Sequence, residues 1–185
     1  MTDAGPASDP VLGALLELAA ERPWSAISLR DIAIKSGVPL PDLFRRAAGK
    51  PELLAELSAA FDDAALTVEP LPDGDLHDAL FDAVMARVEA MEPHRAALTA
   101  IARDNVGPSW DGLVFASHFP RTARAILAGA GLDATPPRIL AMTAVWARIA
   151  RVWRDDEGAL NRTMAEIDKQ LKTTRSRLGR IGAGF

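Results

Sequence analysis

Five basic residues are concentrated between residues 28 and 50, where only two acidic residues accompany them. A lysine or arginine can neutralise a DNA phosphate, and this neutralisation supplies most of the sequence-independent affinity of DNA-binding proteins. The whole chain has a net charge of −4, so the positive charge is local. The segment is a candidate nucleic-acid contact, with a solvated helix surface as the alternative. The basic residues are Arg30, Lys35, Arg45, Arg46 and Lys50.

The side chains that enzymes use for catalysis form no recognisable pattern in the sequence. The acidic pairs at 62–63 and 155–156 are adjacent, and adjacent residues point in different directions on a helix. The chain has no cysteine, which excludes disulfides and thiolate metal sites. The three histidines are His77, His94 and His118, which lie too far apart in sequence to match the spacing of zinc ligands on one helix. We therefore predict that the protein is not an enzyme and holds no metal or cofactor.

The composition predicts a helical protein. Apolar residues make up 49% of the 185 residues, alanine and leucine dominate, and runs of β-branched residues are scarce. No apolar run approaches the roughly 18 residues that a membrane-spanning helix needs. The apolar segment at 10–20 follows Asp3 and Asp9 rather than basic residues, so it does not match a signal peptide. We expect a cytoplasmic protein without stable membrane insertion.

Four of the five basic residues lie on two predicted short helices, and Lys50 opens the longer helix that follows. Ser28 and Asp31 have the spacing of a capping box, and Gly37 is suited to end the first of these helices in a left-handed conformation. A second short helix then carries Leu43 and Phe44. Together with a preceding helix that starts after Asp9, this pattern predicts a helix-turn-helix. An ordinary helical corner is the alternative.

The remaining chain reads as a helical bundle, so the predicted fold class is all-α with about nine helices. Proline and glycine between residues 69 and 74 indicate a linker. We predict a disordered N-terminus at 1–8, a helix-turn-helix domain at 9–50, a bundle at 51–175 and a basic flexible tail at 176–185. The basic end of the chain could touch DNA or anionic lipid, or only keep the protein soluble.

The N-terminal part resembles the TetR family of bacterial transcriptional regulators. The resemblance depends on Ser28 through Ala33, Gly37-Val38, Leu43-Phe44 and Lys50 through Leu54. It implies a helix-turn-helix followed by a bundle that binds a ligand and forms a homodimer. It also implies a ligand-responsive repressor that binds double-stranded operator DNA. The DNA-contacting positions that it implies are Ser28, Arg30, Lys35, Leu40, Asp42, Phe44, Arg45, Arg46 and Lys50.

The second short helix departs from the family pattern where DNA would be read. Phe44 stands where the family usually has a tyrosine, whose hydroxyl reaches a phosphate. Asp42 would repel phosphate unless it accepts a hydrogen bond from a cytosine amino group. Pro39 and Pro41 remove backbone donors. Any DNA contact would therefore depend on the arginines that follow.

The bundle carries large apolar residues that suit a pocket for a small apolar ligand of unknown identity, although such residues more often fill a core. The candidates are Phe81, Met85, Trp110, Phe115, Phe119, Met142 and Trp146. The arginine-bearing apolar segment at 139–154 suits a partner helix across a two-fold axis, with the outer face of a bundle helix as the alternative. The predicted dimer contacts are Ile149, Val152, Trp153, Met164, Ile167 and Leu171.

A second resemblance covers the late helices. Trp153 through Asp156, Thr163 through Ala165 and Asp168 through Leu171 are similar to the TetR-like lipid-binding accessory protein of ubiquinone biosynthesis. That group keeps the TetR fold without reading DNA in the usual way. The alternative function is therefore a TetR-shaped lipid or isoprenoid-binding protein that reads no operator.

Overall fold

The computed structural model describes residues 5–69, 74–104, 117–156 and 160–180, with side chains described up to residue 177. These ranges contain helices and no strand, which confirms the predicted all-α class. Among these residues, no helix is both long and apolar enough to cross a membrane. The nine α-helices found there are α1 (Pro10–Glu21), α2 (Leu29–Ser36), α3 (Leu40–Arg46), α4 (Lys50–Leu66), α5 (Leu76–Met91), α6 (Arg95–Asp104), α7 (Phe119–Gly129), α8 (Pro136–Arg154) and α9 (Asn161–Arg180).

The start of α1 is set by Asp9 and Pro10. The Asp9 carboxylate accepts hydrogen bonds from the backbone N–H groups of Val11 and Leu12, at 2.9 and 3.0 Å. Proline at the first helical position has no N–H that would need a partner. The helix then buries Leu15 and most of its other apolar residues.

The sequence signals around α2 and α3 produce the predicted helix-turn-helix geometry. The Ser28 and Asp31 side chains form a reciprocal capping box at the start of α2. Gly37 has a φ of 73° and links α2 to α3, a left-handed conformation that glycine adopts without steric penalty. Pro39 stands at the N-cap of α3, and the fully buried Leu43 anchors this helix.

The chain divides into two compact units that are each discontinuous in sequence. The first contains residues 1–61 and 93–118, and the second contains 62–92 and 119–185. The predicted division after residue 50 does not coincide with this one, because α4 continues the first unit as far as Phe61 and α6 belongs to it. In the first unit, α1 packs on α2 and α6.

The second unit has its core where α5, α7, α8 and α9 pack against one another. Ile126, Met142, Ile149 and Ile167 are fully buried there. Gly129 allows α7 to approach α4 closely, since a Cβ atom at this position would lie 2.0 Å from the carbonyl oxygen of Ala65. A side chain at Gly129 would therefore force the helices apart.

Helical structure extends into both ends that the sequence predicted to be disordered or flexible. Pro6–Ser8 form a 3-10 turn with Pro6 buried, whereas residues 1–4 lie outside the described part. At the other end, α9 continues through Arg180, and residues 181–185 lie outside the described part. The first half of the predicted tail at 176–185 therefore belongs to α9. Residues 70–73 of the predicted linker also fall outside the described ranges.

Candidate nucleic-acid interface and ligand site

The outward surface of α3 is apolar and weakly charged. Pro41, Asp42, Phe44 and Arg45 are exposed, and Phe44 has 58% of its surface exposed. Leu40 is half-buried. An exposed phenylalanine can contact a thymine methyl group but cannot donate a hydrogen bond to a phosphate. This surface therefore offers shape and apolar contact more than hydrogen-bond donors.

Arg46 is occupied by two carboxylates of the same chain. Its Nε donates to Glu56 Oε2 at 2.7 Å, and its Nη2 lies 3.0 Å from Asp9 Oδ2. Burial opposes the charged form, but the hydrogen bonds that Arg46 donates to Asp9 and Glu56 prevail and raise the pKa of Arg46. The guanidinium therefore ties the end of α3 to α4 and to the start of α1.

Two further predicted DNA contacts are also held within the chain. Lys35 Nζ lies 2.7 Å from Glu17 Oε2. Lys50 Nζ donates to the backbone carbonyl of Trp24 at 2.8 Å and lies 4.6 Å from the centre of the indole ring. A phosphate would have to compete with these partners for both lysines.

Arg30 and Arg45 are the most available cations of the predicted set. Arg30 is exposed and forms no ion pair within the described ranges. The Arg45 side chain is 73% exposed and pairs with Asp42 one turn earlier on α3. Ser28 uses its side chain in the capping box of α2. Arg30 and Arg45 are thus the predicted contacts that are most exposed to a phosphate.

The predicted pocket residues that the structure describes all belong to the second unit. Met142 and Trp146 are almost completely buried, and Met85 is 8% exposed. Phe81 and Phe119 are half-buried. Trp110 and Phe115 lie outside the described residues.

A buried ion pair accompanies these apolar residues, and the sequence did not reveal it. Arg87 Nε donates to Asp62 Oδ1 at 2.7 Å, and both side chains are less than 5% exposed. The guanidinium lies 4.2 Å from the centre of the Trp146 ring and donates to Met91 Sδ. Burial lowers the pKa of Arg87 against the opposing attraction of Asp62. The sequence showed the acidic pair at 62–63. It did not show that Arg87, 25 residues away, pairs with Asp62.

Four of the predicted dimer contacts lie in the core of the single chain. Ile149, Trp153, Ile167 and Leu171 are each at most 4% exposed. Trp153 Nε1 donates to Glu92 Oε2 at 2.9 Å. Val152 is half-buried and Met164 is 36% exposed. The outer face of α8 instead presents Leu140, which is 74% exposed.

Several basic residues of α9 form ion pairs with carboxylates of the same chain. Lys172 Nζ lies 2.8 Å from Asp168 Oδ2, and Arg175 Nη1 lies 3.3 Å from Asp75 Oδ1. His77 Nε2 also contacts Asp168, at 3.0 Å. Among the described residues, no cluster of three potential metal ligands occurs.

The fold is similar to that of a solved structure. The chain superposes on the crystal structure of a TetR transcriptional regulator from Rhodococcus sp. RHA1 with a TM-score of 0.67 and 16% sequence identity. The alignment covers 91% of this chain and 95% of that chain. No protein-family model matches the sequence, and no curated protein matches it. The similarity confirms the TetR-like fold that the sequence predicted.

Proposed function

We propose that this protein is a homodimeric, ligand-responsive transcriptional regulator of the TetR type that represses by binding double-stranded operator DNA. The observation that carries the proposal is the fold match to a transcriptional regulator over nearly the whole of both chains. The exposed residues of α3 and the exposed Arg30 on α2 support the proposal, because they would be accessible to DNA. In such a protein, the ligand would favour the dimer conformation that fits the operator less well.

The electrostatic part of DNA binding is expected to be small. Lys35, Arg46 and Lys50 are already held by partners in the chain, so Arg30 and Arg45 carry most of the phosphate contacts. Each phosphate contact contributes about −0.9 to the slope of log affinity against log salt concentration. We therefore expect a shallow salt dependence and a large share of shape and apolar contact in the affinity.

A DNA-binding assay tests this proposal. The purified protein is titrated against the DNA upstream of its own gene and against sequences selected from a random pool. The double variant Arg30→Ala plus Arg45→Ala should bind more weakly, with a salt slope that is smaller in magnitude by roughly 1 to 2 units per half-site. Arg124→Ala, an exposed arginine of the second unit, is the matched control and should leave the slope unchanged.

The outcomes separate the regulator from other functions. If the double variant binds a selected DNA sequence with an unchanged salt slope, α2 and α3 are excluded as the DNA contact. Failure to select any sequence, at low salt as well as high, would overturn the regulator itself.

A second function has its own support. The surface of α3 carries Pro41, Asp42 and Phe44, and three of its neighbouring cations are paired within the chain. These features favour a TetR-shaped lipid or isoprenoid carrier that reads no operator. Mass spectrometry of organic extracts from the purified protein tests this alternative. A stoichiometric lipid together with no DNA binding would support the carrier, and a lipid-free protein that binds DNA would exclude it.

A further inference from the structure

The second unit contains a buried carboxylate oxygen without a hydrogen-bond donor. Asp62 is 2% exposed, and its Oδ1 receives the Arg87 hydrogen bond. Within the described part of the chain, no group donates a hydrogen bond to Asp62 Oδ2. An unsatisfied buried acceptor destabilises a protein by about 1 to 3 kcal/mol, and more when it is charged. Such an atom in a core calls for a partner.

The surroundings of Oδ2 define what that partner can be. The Nε of Arg121 lies 3.9 Å from Oδ2, too far for a hydrogen bond, and the Arg121 side chain is 67% exposed. A largely exposed side chain therefore approaches this buried oxygen. Thr122 Oγ1 and the predicted pocket residue Trp146 both contact the other side of the ion pair, through Arg87.

Charge and hydrogen bonding restrict the ligand further. The negative charge of Asp62 is already balanced by Arg87, and Arg121 adds a second positive group nearby. A cationic ligand would therefore meet two guanidinium groups. A carboxylate ligand has no hydrogen to donate at neutral pH. A neutral hydroxyl or amide N–H group satisfies Oδ2 without adding charge.

We propose that Asp62 Oδ2 is the hydrogen-bond acceptor for the ligand, and that this ligand is an apolar molecule with a neutral hydroxyl or amide N–H group. The proposal rests on the ligand response proposed above, and it names the chemistry of that ligand. The apolar part would pack against Met and Trp side chains near Arg87, of which Met91 and Trp146 contact the guanidinium directly.

Matched aromatic probes test the proposal without DNA. Thermal unfolding of the full chain is followed by circular dichroism with 4-butylphenol, with its methyl ether 4-butylanisole, with butylbenzene and with 4-butylbenzoate. The phenol differs from its ether mainly in the donor hydrogen. Because a hydrogen bond to a charged acceptor is worth at least a tenfold affinity difference, 4-butylphenol should raise Tm at a concentration about tenfold lower than 4-butylanisole does.

The Asp62→Asn variant should remove this preference. The asparagine oxygen can accept from Arg87, which leaves an amide donor where Oδ2 was, so the phenol loses its advantage over the ether. Asp63→Asn changes the exposed neighbour on the same helix and should keep the preference. The comparison of the two probes on the unmodified chain decides the matter even if Asp62→Asn does not fold.

Three results would overturn the proposal: equal effects of the phenol and its ether, no rise in Tm with any probe, or an undiminished phenol preference in Asp62→Asn. The first result would mean that the phenol hydroxyl does not donate to Oδ2. None of these outcomes depends on DNA binding. Thermal unfolding therefore tests the ligand chemistry, and the DNA-binding assay tests the regulator function independently.

Discussion

At the scale of single residues, Arg46 shows how a predicted DNA contact can have another role. Its guanidinium bridges Asp9 and Glu56, which lie 37 and 10 residues away in sequence. Burial would raise the pKa of Asp9, but the hydrogen bonds from Arg46 and from the backbone of Leu12 and Val11 outweigh it and lower this pKa. Arg46 therefore positions α3, and the arginine that faces outward is Arg45.

Asp9→Asn tests the bridge separately from the helix cap. Asparagine caps a helix about as well as aspartate, so α1 should remain capped while the charge attraction to Arg46 is lost. We expect a loss of roughly 1 kcal/mol or less in the free energy of unfolding at pH 7, measured by urea denaturation. Asp9→Ala should lose about 1 kcal/mol more, because it also removes the cap.

The effect of Asp9→Asn on stability should depend on pH. Because the pKa of Asp9 is lowered in the folded state, its contribution is present above the ordinary value of 3.8 and is lost as pH falls through the folded value. The stability difference between the unmodified chain and Asp9→Asn should therefore shrink as pH is lowered from 5 to 3. A difference that stays constant over this range would contradict the bridge.

At the scale of helices, local sequence signals were sufficient to predict where helices begin and end. They were not sufficient to predict which residues of different helices form pairs. The capping box at Ser28, the turn at Gly37 and the burial of Leu43 all follow from short-range sequence patterns. The pairing of Arg87 with Asp62 joins α5 to α4, and side-chain periodicity carries no information about which helices meet. The fold was therefore predictable, whereas the electrostatics of the candidate site depended on tertiary packing.

The close approach of α7 to α4 predicts a steric effect at Gly129. Gly129→Ala should lower the free energy of unfolding by about 1 to 3 kcal/mol, because its methyl group would overlap the carbonyl of Ala65. Gly37 is the matched comparison, since a Cβ there meets no atom within 4 Å and only the positive φ is unfavourable. Urea denaturation should show that Gly37→Asn recovers stability relative to Gly37→Ala, whereas no small substitution is tolerated at Gly129.

At the scale of the whole molecule, the proposed homodimer needs an exposed contact face. The buried residues Ile149, Ile167 and Leu171 stabilise the single chain, so they cannot also supply that face without rearrangement. Leu140 is exposed on α8, and Ala144, Arg148 and Arg151 follow it at helical spacing on the exposed side. We propose this strip as the dimer contact on α8, together with Met164 on α9.

Leu140→Asp should weaken the dimer, because it places a charge in a desolvated contact. Light scattering after size-exclusion chromatography should show a shift toward the monomer mass at micromolar protein concentration. Leu66→Asp makes the same change at the half-exposed end of α4 and should leave the mass unchanged. Equal masses for Leu140→Asp and the unmodified chain would place the dimer interface elsewhere.

The stacking of Arg87 on Trp146 also gives the molecule an intrinsic optical signal. The chain has no tyrosine, so its ultraviolet emission comes essentially from four tryptophans. A guanidinium 4.2 Å from the centre of the Trp146 ring imposes a strong local electric field on that indole. Any displacement of Arg87 changes this field and shifts the emission wavelength of Trp146. Ligand binding at Asp62 can therefore be followed in real time by the wavelength of tryptophan fluorescence, without an added label.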